Sequence, residues 1–196
     1  PETAKEARVT YQNDLELYEK NKSTYEREME NLRTDIANQQ EYLDHSIWIN
    51  MSPYDVCEAR ADLFVSTGYQ IMPGMEYQNR DNTDTILQAY QSLLTSSAVL
   101  EDVAKQVKTE PRYLEELVEV TIGANQDGQL NRMLTIDVKH TTKEDAEEVL
   151  GAFLAHVDDM HDRIATSIGE HTVSIVNESV SALVNLDLAE LQRQQT

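Results

Sequence analysis

Two alternating apolar segments, followed by a helical apolar stripe, mark residues 117–168. Apolar residues occupy every second position in each segment: Val118, Val120 and Ile122, then Leu134, Ile136 and Val138. A period of two is typical of a β-strand with one buried face. Asp127 and Gly128 lie between the segments and favour a tight turn. The pattern therefore predicts a β-hairpin.

A helix is predicted directly after the second strand of this hairpin. Thr141 and Glu144 have the spacing of a capping box, which marks the first turn of a helix. Apolar residues then recur at steps of three and four: Ala146, Val149, Leu150, Phe153, Val157, Met160, Ile164 and Ile168. Such a stripe must pack on an apolar surface. We predict that this helix backs a small sheet formed by the two strands.

The first 50 residues predict a long helix, because residues 3–46 contain neither Pro nor Gly. Steps of four and three give a seam that only Lys22 and Gln39 interrupt: Tyr11, Leu15, Tyr18, Lys22, Tyr25, Met29, Leu32, Ile36, Gln39 and Leu43. At about 1.5 Å per residue the helix would span about 60 Å. We expect part of it to project and to form a coiled coil or an antiparallel helix pair. Tyr11, Tyr18 and Tyr25 are interpreted as packing residues, in preference to a sugar-stacking surface.

The remaining pattern predicts a sheet with several helices. Pro53 ends the first helix, residues 56–65 form a strand that is central or covered, and residues 67–84 form a long loop. Helices are predicted over residues 83–94, after caps at Ser96 and Ser97, and from Pro111. Residues 171–176 read as a strand, and residues 179–196 as a helix that the sequence cuts off.

This order of elements predicts an α/β (α+β) fold. We expect a small mixed sheet packed on helices, with a long projecting N-terminal helix. Residues 1–50 would form that coiled-coil-like helix. Residues 51–196 would form the α/β base domain, which continues into the truncated C-terminal helix.

Charge and composition limit the classes of function. Sixteen basic and 36 acidic residues give a formal net charge of −20, which repels nucleic acid and anionic lipid, so no nucleic-acid partner is expected. Cys57 is the single cysteine, so we expect a buried residue and not a disulfide or thiolate zinc site. No run of about 18 apolar residues occurs. The initial Pro1 indicates a fragment of a longer protein.

One helical cluster offers possible metal ligands: His156, Asp158, Asp159, His161 and Asp162. His156 and Asp159 share a helical face, but His161 lies five positions from His156 and points away from it. Paired helical ligands are usually three or four positions apart. We therefore expect a solvated acidic face, and we expect Asp137 to lie on the polar face of its strand and not to be a buried acid. The sequence predicts no catalytic, cofactor-binding or metal-binding residue, no cofactor and no enzyme activity.

Several segments resemble the extracytoplasmic domain of the chain-length determinant family, the polysaccharide co-polymerases. They are Pro53 and Tyr54 with residues 58–65 (Glu-Ala-Arg-Ala-Asp-Leu-Phe-Val), residues 96–104 (Ser-Ser-Ala-Val-Leu-Glu-Asp-Val-Ala), and residues 134–140 (Leu-Thr-Ile-Asp-Val-Lys-His) leading into residues 144–146. The resemblance covers residues 52–168 and continues more weakly to residue 195. It departs from the family at the front, where a long helix precedes the first strand.

The resemblance implies a protein anchored in the cell membrane by two spans outside this sequence, with the domain on the extracytoplasmic face. It implies a ring-like or bell-shaped homo-oligomer that works beside a polysaccharide polymerase and meets the growing glycan. Some relatives couple to a cytoplasmic tyrosine kinase. We expect a non-catalytic chain-length regulator of O-antigen, capsule or exopolysaccharide. The alternatives are a coiled-coil scaffold or adaptor module without a glycan role and, after it, a metal-dependent enzyme.

Overall fold

A computed structural model describes residues 2–69, 74, 81–124, 128 and 130–195. The chain forms two compact units, residues 1–45 and residues 46–196. The division lies after His45, whereas the sequence predicted it after residue 50. Ser46 already belongs to the second unit, as its hydrogen bonds show. The hydroxyl of Ser46 accepts a hydrogen bond from the backbone N–H of Ile49, at 3.3 Å. It also donates to Oε2 of Glu116, at 2.8 Å, so Ser46 is fastened to the second unit.

The first unit is the helix α1 (Glu2–His45), which is 44 residues long. Its existence and length are as predicted, because no residue in it breaks helical geometry. Two exposed ion pairs run along it, Lys22 with Glu26 and Arg33 with Glu30. Each such surface pair contributes only about 0.3–0.5 kcal/mol. Most helical stability in proteins comes from packing of an apolar face instead.

The second unit contains four strands and six further helices within its described residues. The helices are α2 (Ile47–Asn50), α3 (Thr83–Leu94), α4 (Ser97–Gln106), α5 (Pro111–Glu115), α6 (Lys143–Ser167) and α7 (Leu186–Gln195). The strands are β1 (Val56–Thr67), β2 (Val118–Ala124), β3 (Leu130–His140) and β4 (His171–Leu183). They form one sheet in the order β2-β3-β1-β4.

The fold class is confirmed as α+β with a long N-terminal helix, but the sheet is not mixed. Each described neighbouring pair, β1 with β3, β1 with β4 and β2 with β3, is antiparallel. Helices connect β1 to β2 and β3 to β4. Neither of these pairs lies side by side in the sheet, because β1 lies between β3 and β4. Strands and helices follow one another as β-α-β-β-α-β, which is the split-βαβ, or ferredoxin-like, arrangement.

The core lies between one face of this sheet and helices α3, α4 and α6. Strand β1 supplies a buried row: Ala59, Ala61, Leu63 and Val65. The predicted stripe of α6 is buried against it, with Ile168 partly buried at its end. Burying a side chain such as Phe153 contributes about 2 kcal/mol. The periodicity of the sequence therefore identified both faces of this core.

A smaller apolar cluster lies around the first residue of β1. Its buried members are Met51, Val56, Leu117 and Leu188. Trp48 packs beside them, as expected for a residue at the junction of helix and sheet. The amide of Gln192 donates to the carbonyls of Ile49 and Met51, at 2.7 and 2.8 Å. These bonds join α7 to α2, and the apolar cluster packs both helices against the start of β1.

The predicted cap of α6 was wrong by one residue. Thr142, and not Thr141, accepts a hydrogen bond from the backbone N–H of Asp145, at 3.1 Å. Its hydroxyl donates to the Asp145 carboxylate at 2.6 Å. Pairing of His140 with Cys57 extends β3 up to the helix, and this leaves Thr142 at the N-cap position. The cap before α4 also differs, because the Ser96 hydroxyl donates to the Leu93 carbonyl instead of accepting from the helix.

The helix predicted over residues 179–196 begins too early. Residues 179–183 continue β4, in which Ser179 pairs with Arg60 and Val180 with Ala59. Pairing with the long strand β1 extends β4 through a segment that has no strong local preference for a strand. Helix α7 therefore starts only at Leu186.

Two predicted turns lie mainly outside the described residues. The long loop over residues 67–84 includes residues 70–73 and 75–80, and the hairpin turn includes residues 125–127 and 129. Gly128 has a φ of +77°, a conformation that glycine adopts without steric cost. No helix within the described ranges combines the length and apolarity that a membrane crossing needs.

Candidate functional site

The apolar seam of α1 is the first candidate surface. Most of its residues are exposed in the single chain: Tyr11, Leu15, Tyr18, Tyr25, Met29, Leu32 and Ile36. Tyr18 and Ile36 expose 64% and 68% of their surface, far more than core residues do. Large exposed apolar surfaces usually mark sites of association. The exposure of the seam is compatible with the predicted helix pairing, which stays a prediction.

A polar network crosses three strands on the face of the sheet opposite the main core. The Asp62 carboxylate on β1 accepts hydrogen bonds from the Thr135 hydroxyl on β3, at 2.7 Å, and from the Asn177 amide on β4, at 3.0 Å. Arg60 donates to it at 3.2 Å. Burial opposes ionisation of Asp62, but these three donors outweigh it and lower the pKa of the carboxyl. The network therefore holds a carboxylate that stays ionised.

The position of this network coincides with a β-bulge. Asp62 pairs with Asn177, whereas the next residue, Leu63, pairs with Ile175, so Val176 is the extra residue on β4. A bulge interrupts the ladder and weakens pairing at that point. The hydrogen bond between Asp62 and Asn177 fastens β4 to β1 beside the interruption.

Asp137 lies on the same polar face, as expected, but it is more buried than the sequence indicated. Its side chain is 14% exposed, and Nη1 of Arg60 lies 3.6 Å from Oδ1. Oδ1 of Asp137 has no hydrogen-bond partner in the described structure. Burial raises the pKa of Asp137, and the attraction of Arg60 only partly offsets this. The pKa values of the neighbouring carboxyls Asp62 and Asp137 are therefore shifted in opposite directions.

A second cluster joins Tyr90 of α3 to His171 of β4. The tyrosine hydroxyl lies 2.9 Å from Nε2 of the imidazole, and both side chains are buried. Nδ1 of His171 lies 2.9 Å from the carbonyl of Gly169. A carbonyl only accepts, so Nδ1 carries a proton, and Tyr90 donates to Nε2 when that nitrogen is unprotonated. Burial, followed by the charge of Asp158, raises the pKa of Tyr90 to about 12, which keeps the hydroxyl a donor.

His161 packs against His171, with ring centroids 4.7 Å apart. Its Nε2 lies 3.0 Å from the carbonyl of His171, and its Nδ1 lies 3.2 Å from the Asp162 carboxylate. Both neighbours are acceptors, so the doubly protonated ring fits this position best. The bond to the His171 carbonyl, followed by that to Asp162, raises the pKa of His161. The two histidines are thus tied to the backbone that links α6 to β4.

The possible metal ligands do not form one cluster among the described residues, although His161 and Asp162 lie 3.2 Å apart. Asp158, Asp159 and Asp162 are exposed on α6, whereas His161 faces β4. Nε2 of His156 is buried without a hydrogen-bond partner in the described structure. No group of three His, Cys, Asp or Glu residues placed to hold an ion occurs within the described ranges. Cys57 is a buried free thiol, as expected.

The sequence did not identify Asp62 or His171 as members of polar clusters. Asp62 had a usable signal, because it alternates with Ala61 and Leu63, which assigns it to the polar face of β1. Its partners Thr135 and Asn177 lie on other strands, and only the register brings them together. His171 carried no local signal, because its neighbour Tyr90 is 81 positions away.

The fold defines the second unit as a ferredoxin-like α+β unit. It follows, along the chain, a long helix with an exposed apolar seam. No protein-family model and no curated protein matches the chain. A crystal structure of a hydantoinase/carbamoylase family amidase from Burkholderia ambifaria is similar at 13% identity, with a TM-score of 0.30. The match covers 74% of this chain and 33% of the amidase. At that TM-score the likeness supports no statement about activity.

Proposed function

We propose that this chain is the extracytoplasmic domain of a membrane-anchored polysaccharide chain-length regulator. In this proposal it acts by oligomeric scaffolding beside a polymerase and the growing glycan, and it makes or breaks no bond. Its membrane spans lie outside this sequence, and a tyrosine kinase is a further partner. The scaffolding role is carried by one observation, the exposed apolar seam of α1. The glycan role is supported by the resemblance to the chain-length determinant family.

The physical basis of the scaffolding role is the cost of leaving the seam in water. Burial of apolar surface contributes about 25 cal/mol per Å². Seven large apolar side chains, Tyr11, Leu15, Tyr18, Tyr25, Met29, Leu32 and Ile36, follow one another along the seam and remain exposed in the single chain. Pairing this surface with another helix gains that free energy and orders α1 as a rod. A regulator that works by shape requires such an ordered rod.

The segments that carry the resemblance belong to the interior framework of the second unit. Residues 58–65 lie in the central strand β1, and residues 134–140 lie in its neighbour β3. Residues 96–104 lie mainly in α4, whose apolar face packs on the same core. A family likeness in these positions concerns the framework, and the proposal places the regulatory surface on α1.

The test uses the full-length gene in the cell that encodes it. The gene is deleted and then restored as wild type or as the double variant Leu32→Asp/Ile36→Asp, which places two carboxylates in the seam. The matched control is Asn31→Asp/Asn38→Asp, which adds the same charge at exposed positions beside the seam. Glycan length is measured by gel electrophoresis, and the protein level by immunoblot.

We expect the deletion and the seam variant to lose the characteristic length distribution, whereas the control restores it at equal protein level. Glycans of unchanged length after deletion would overturn the proposal. That result, combined with helix pairing that the seam variant abolishes, would support the alternative of a coiled-coil scaffold or adaptor without a glycan role.

A further inference from the structure

The two edges of the sheet differ in how their backbone is protected. On the β2 edge, the Gln91 side chain of α3 donates to the carbonyl of Val120, at 2.9 Å. On the β4 edge, the His161 side chain contacts the backbone carbonyl of His171, which is the first residue of the strand. Uncovered edges are templates for pairing with another strand. The described side-chain protection of β4 lies at its first residue, so residues 172–183 of this long edge strand form an open edge.

The composition of β4 also lacks the features that usually prevent edge pairing. Natural edge strands carry lysine, proline or several charges. Strand β4 has one carboxylate, Glu178, and no Lys, Arg, Pro or Gly among its 13 residues. Two copies of a chain with a net charge of −20 repel each other over most of their surface. Residues 179–183 form an uncharged strip at which two copies can approach.

After the bulge, the side-chain pattern of β4 allows two copies of this strand to pair antiparallel with each other. Glu178, Val180 and Ala182 lie opposite the buried Ala61, Ala59 and Cys57, so they occupy the face of the main core. Ser179 and Ser181 lie opposite Arg60 and Glu58 and occupy the other face. A twofold axis at Val180 places the core-facing residues of both copies on one face of the combined sheet and the remaining residues on the other face.

In this register no like charges face each other. Glu178 of one copy faces Ala182 of the other, and Ser179 faces Ser181. Val180 meets Val180 at the axis, where a pair of β-branched side chains stabilises a sheet. Asn177 faces Leu183, and the bulge at Val176 ends the phase-matched segment.

We propose that two copies of this chain associate through residues 177–183 of β4. The two strands pair antiparallel about Val180, and the two four-stranded sheets become one continuous sheet. The same surface is used by both copies, which gives a closed dimer and not an open filament. This interface does not depend on a glycan role and lies in a different unit from the seam of α1.

The test is a charge exchange at the two exposed serines. Ser179→Glu/Ser181→Glu places carboxylates opposite each other across the interface in both copies. Ser179→Glu/Ser181→Lys instead places opposite charges across it and also puts each new charge beside an opposite one, Arg60 or Glu58, on β1. Thr85→Glu/Gln88→Glu, on the exposed face of α3, is the charge-matched control.

Association of the 196-residue chain is measured by sedimentation velocity over a range of concentrations. Amide hydrogen exchange of residues 177–183 is followed in parallel. We expect the Glu/Glu variant to associate at least tenfold more weakly than wild type. The Glu/Lys variant should associate at least as well as wild type, and the α3 control should associate more tightly than the Glu/Glu variant. Exchange in β4 should slow with concentration wherever dimers form.

A wild-type chain that stays monomeric at its solubility limit would overturn the proposal. So would an association that the Glu/Glu variant leaves unchanged, because that result assigns self-association to another surface such as α1. Equal weakening by both serine variants would exclude the register about Val180. Thermal melts of the variants at low concentration check that each monomer is folded.

Discussion

Tyr90 and His171 are joined by a buried hydrogen bond of 2.9 Å between the phenol and Nε2 of the imidazole. The bond links α3 to the first residue of β4, and the carbonyl of Gly169 orients the ring from its other side. Three parts of the unit therefore meet at one imidazole. A buried polar group that loses such a partner costs about 1–3 kcal/mol.

Tyr90→Phe should lower the free energy of unfolding by about 1–2 kcal/mol, because Nε2 of His171 remains buried without a donor. The variant keeps the ring that fills the core, so secondary structure should be retained. Urea unfolding followed by circular dichroism measures the effect. The double variant Tyr90→Phe/His171→Ala tests the coupling: a sum of the two single effects would show that this bond contributes little.

Asp62→Asn should lower stability by about 1–2 kcal/mol at pH 7, because Thr135, Asn177 and Arg60 lose a charged acceptor. The folded state lowers the pKa of Asp62, so its contribution is present above the unfolded-state pKa and is lost as pH falls through the folded-state value. The gap between wild type and variant should therefore close towards acid pH. Chemical unfolding between pH 7 and pH 2.5 measures it.

Asp137→Asn is the matched comparison on the same face of the sheet. Burial raises the pKa of Asp137, so its ionised form is a net cost that disappears as pH falls through the folded-state value. We expect the variant to be as stable as wild type at pH 7, or more stable, with the difference shrinking towards acid pH. A loss of stability equal to that caused by Asp62→Asn would contradict the opposite pKa shifts of the two carboxyls.

Leu134→Asp or Val149→Asp should unfold the second unit, because each places an unpaired carboxylate in the main core. Ala155→Asp is the control, since Ala155 is exposed on the same helix as Val149. Cooperative thermal unfolding of the two core variants near the wild-type midpoint would show that the faces of β3 and α6 are misassigned.

Lys108→Gly should stabilise the second unit by about 0.5–1 kcal/mol. Lys108 follows α4 with a φ of +58°, and the N–H of Thr109 bonds the carbonyl of Ala104, as in a Schellman motif. Glycine is the usual residue at that position. Lys108→Ala removes the same side chain but keeps Cβ, so it should give no gain in the same melts. An equal gain in both variants would assign the effect to charge.

Features that depend on near neighbours in the chain could be predicted. The apolar period of residues 146–168 fixed the buried face of α6, and alternation around Ala59 and Leu63 fixed that of β1. The absence of helix breakers fixed α1. These patterns are determined by helical and strand geometry, which repeats over a few residues.

Features set by pairing between distant segments could not be predicted. Residues 179–183 have no strong local preference for a strand, and they form one because β1 continues beside them. The N-cap fell on Thr142 and not Thr141 because the ladder extended β3 to His140. The donors around Asp62 come from strands that only the register brings together.

The sequence by itself determined the long helix, its apolar seam, and the two faces of the main core, because the periods of helix and strand are written in consecutive residues. The tertiary structure alone decided that β1 lies between β3 and β4, that Tyr90 meets His171, and that β4 is an open edge. These outcomes depend on which distant strands satisfy one another's backbone hydrogen bonds, and no local pattern specifies that choice.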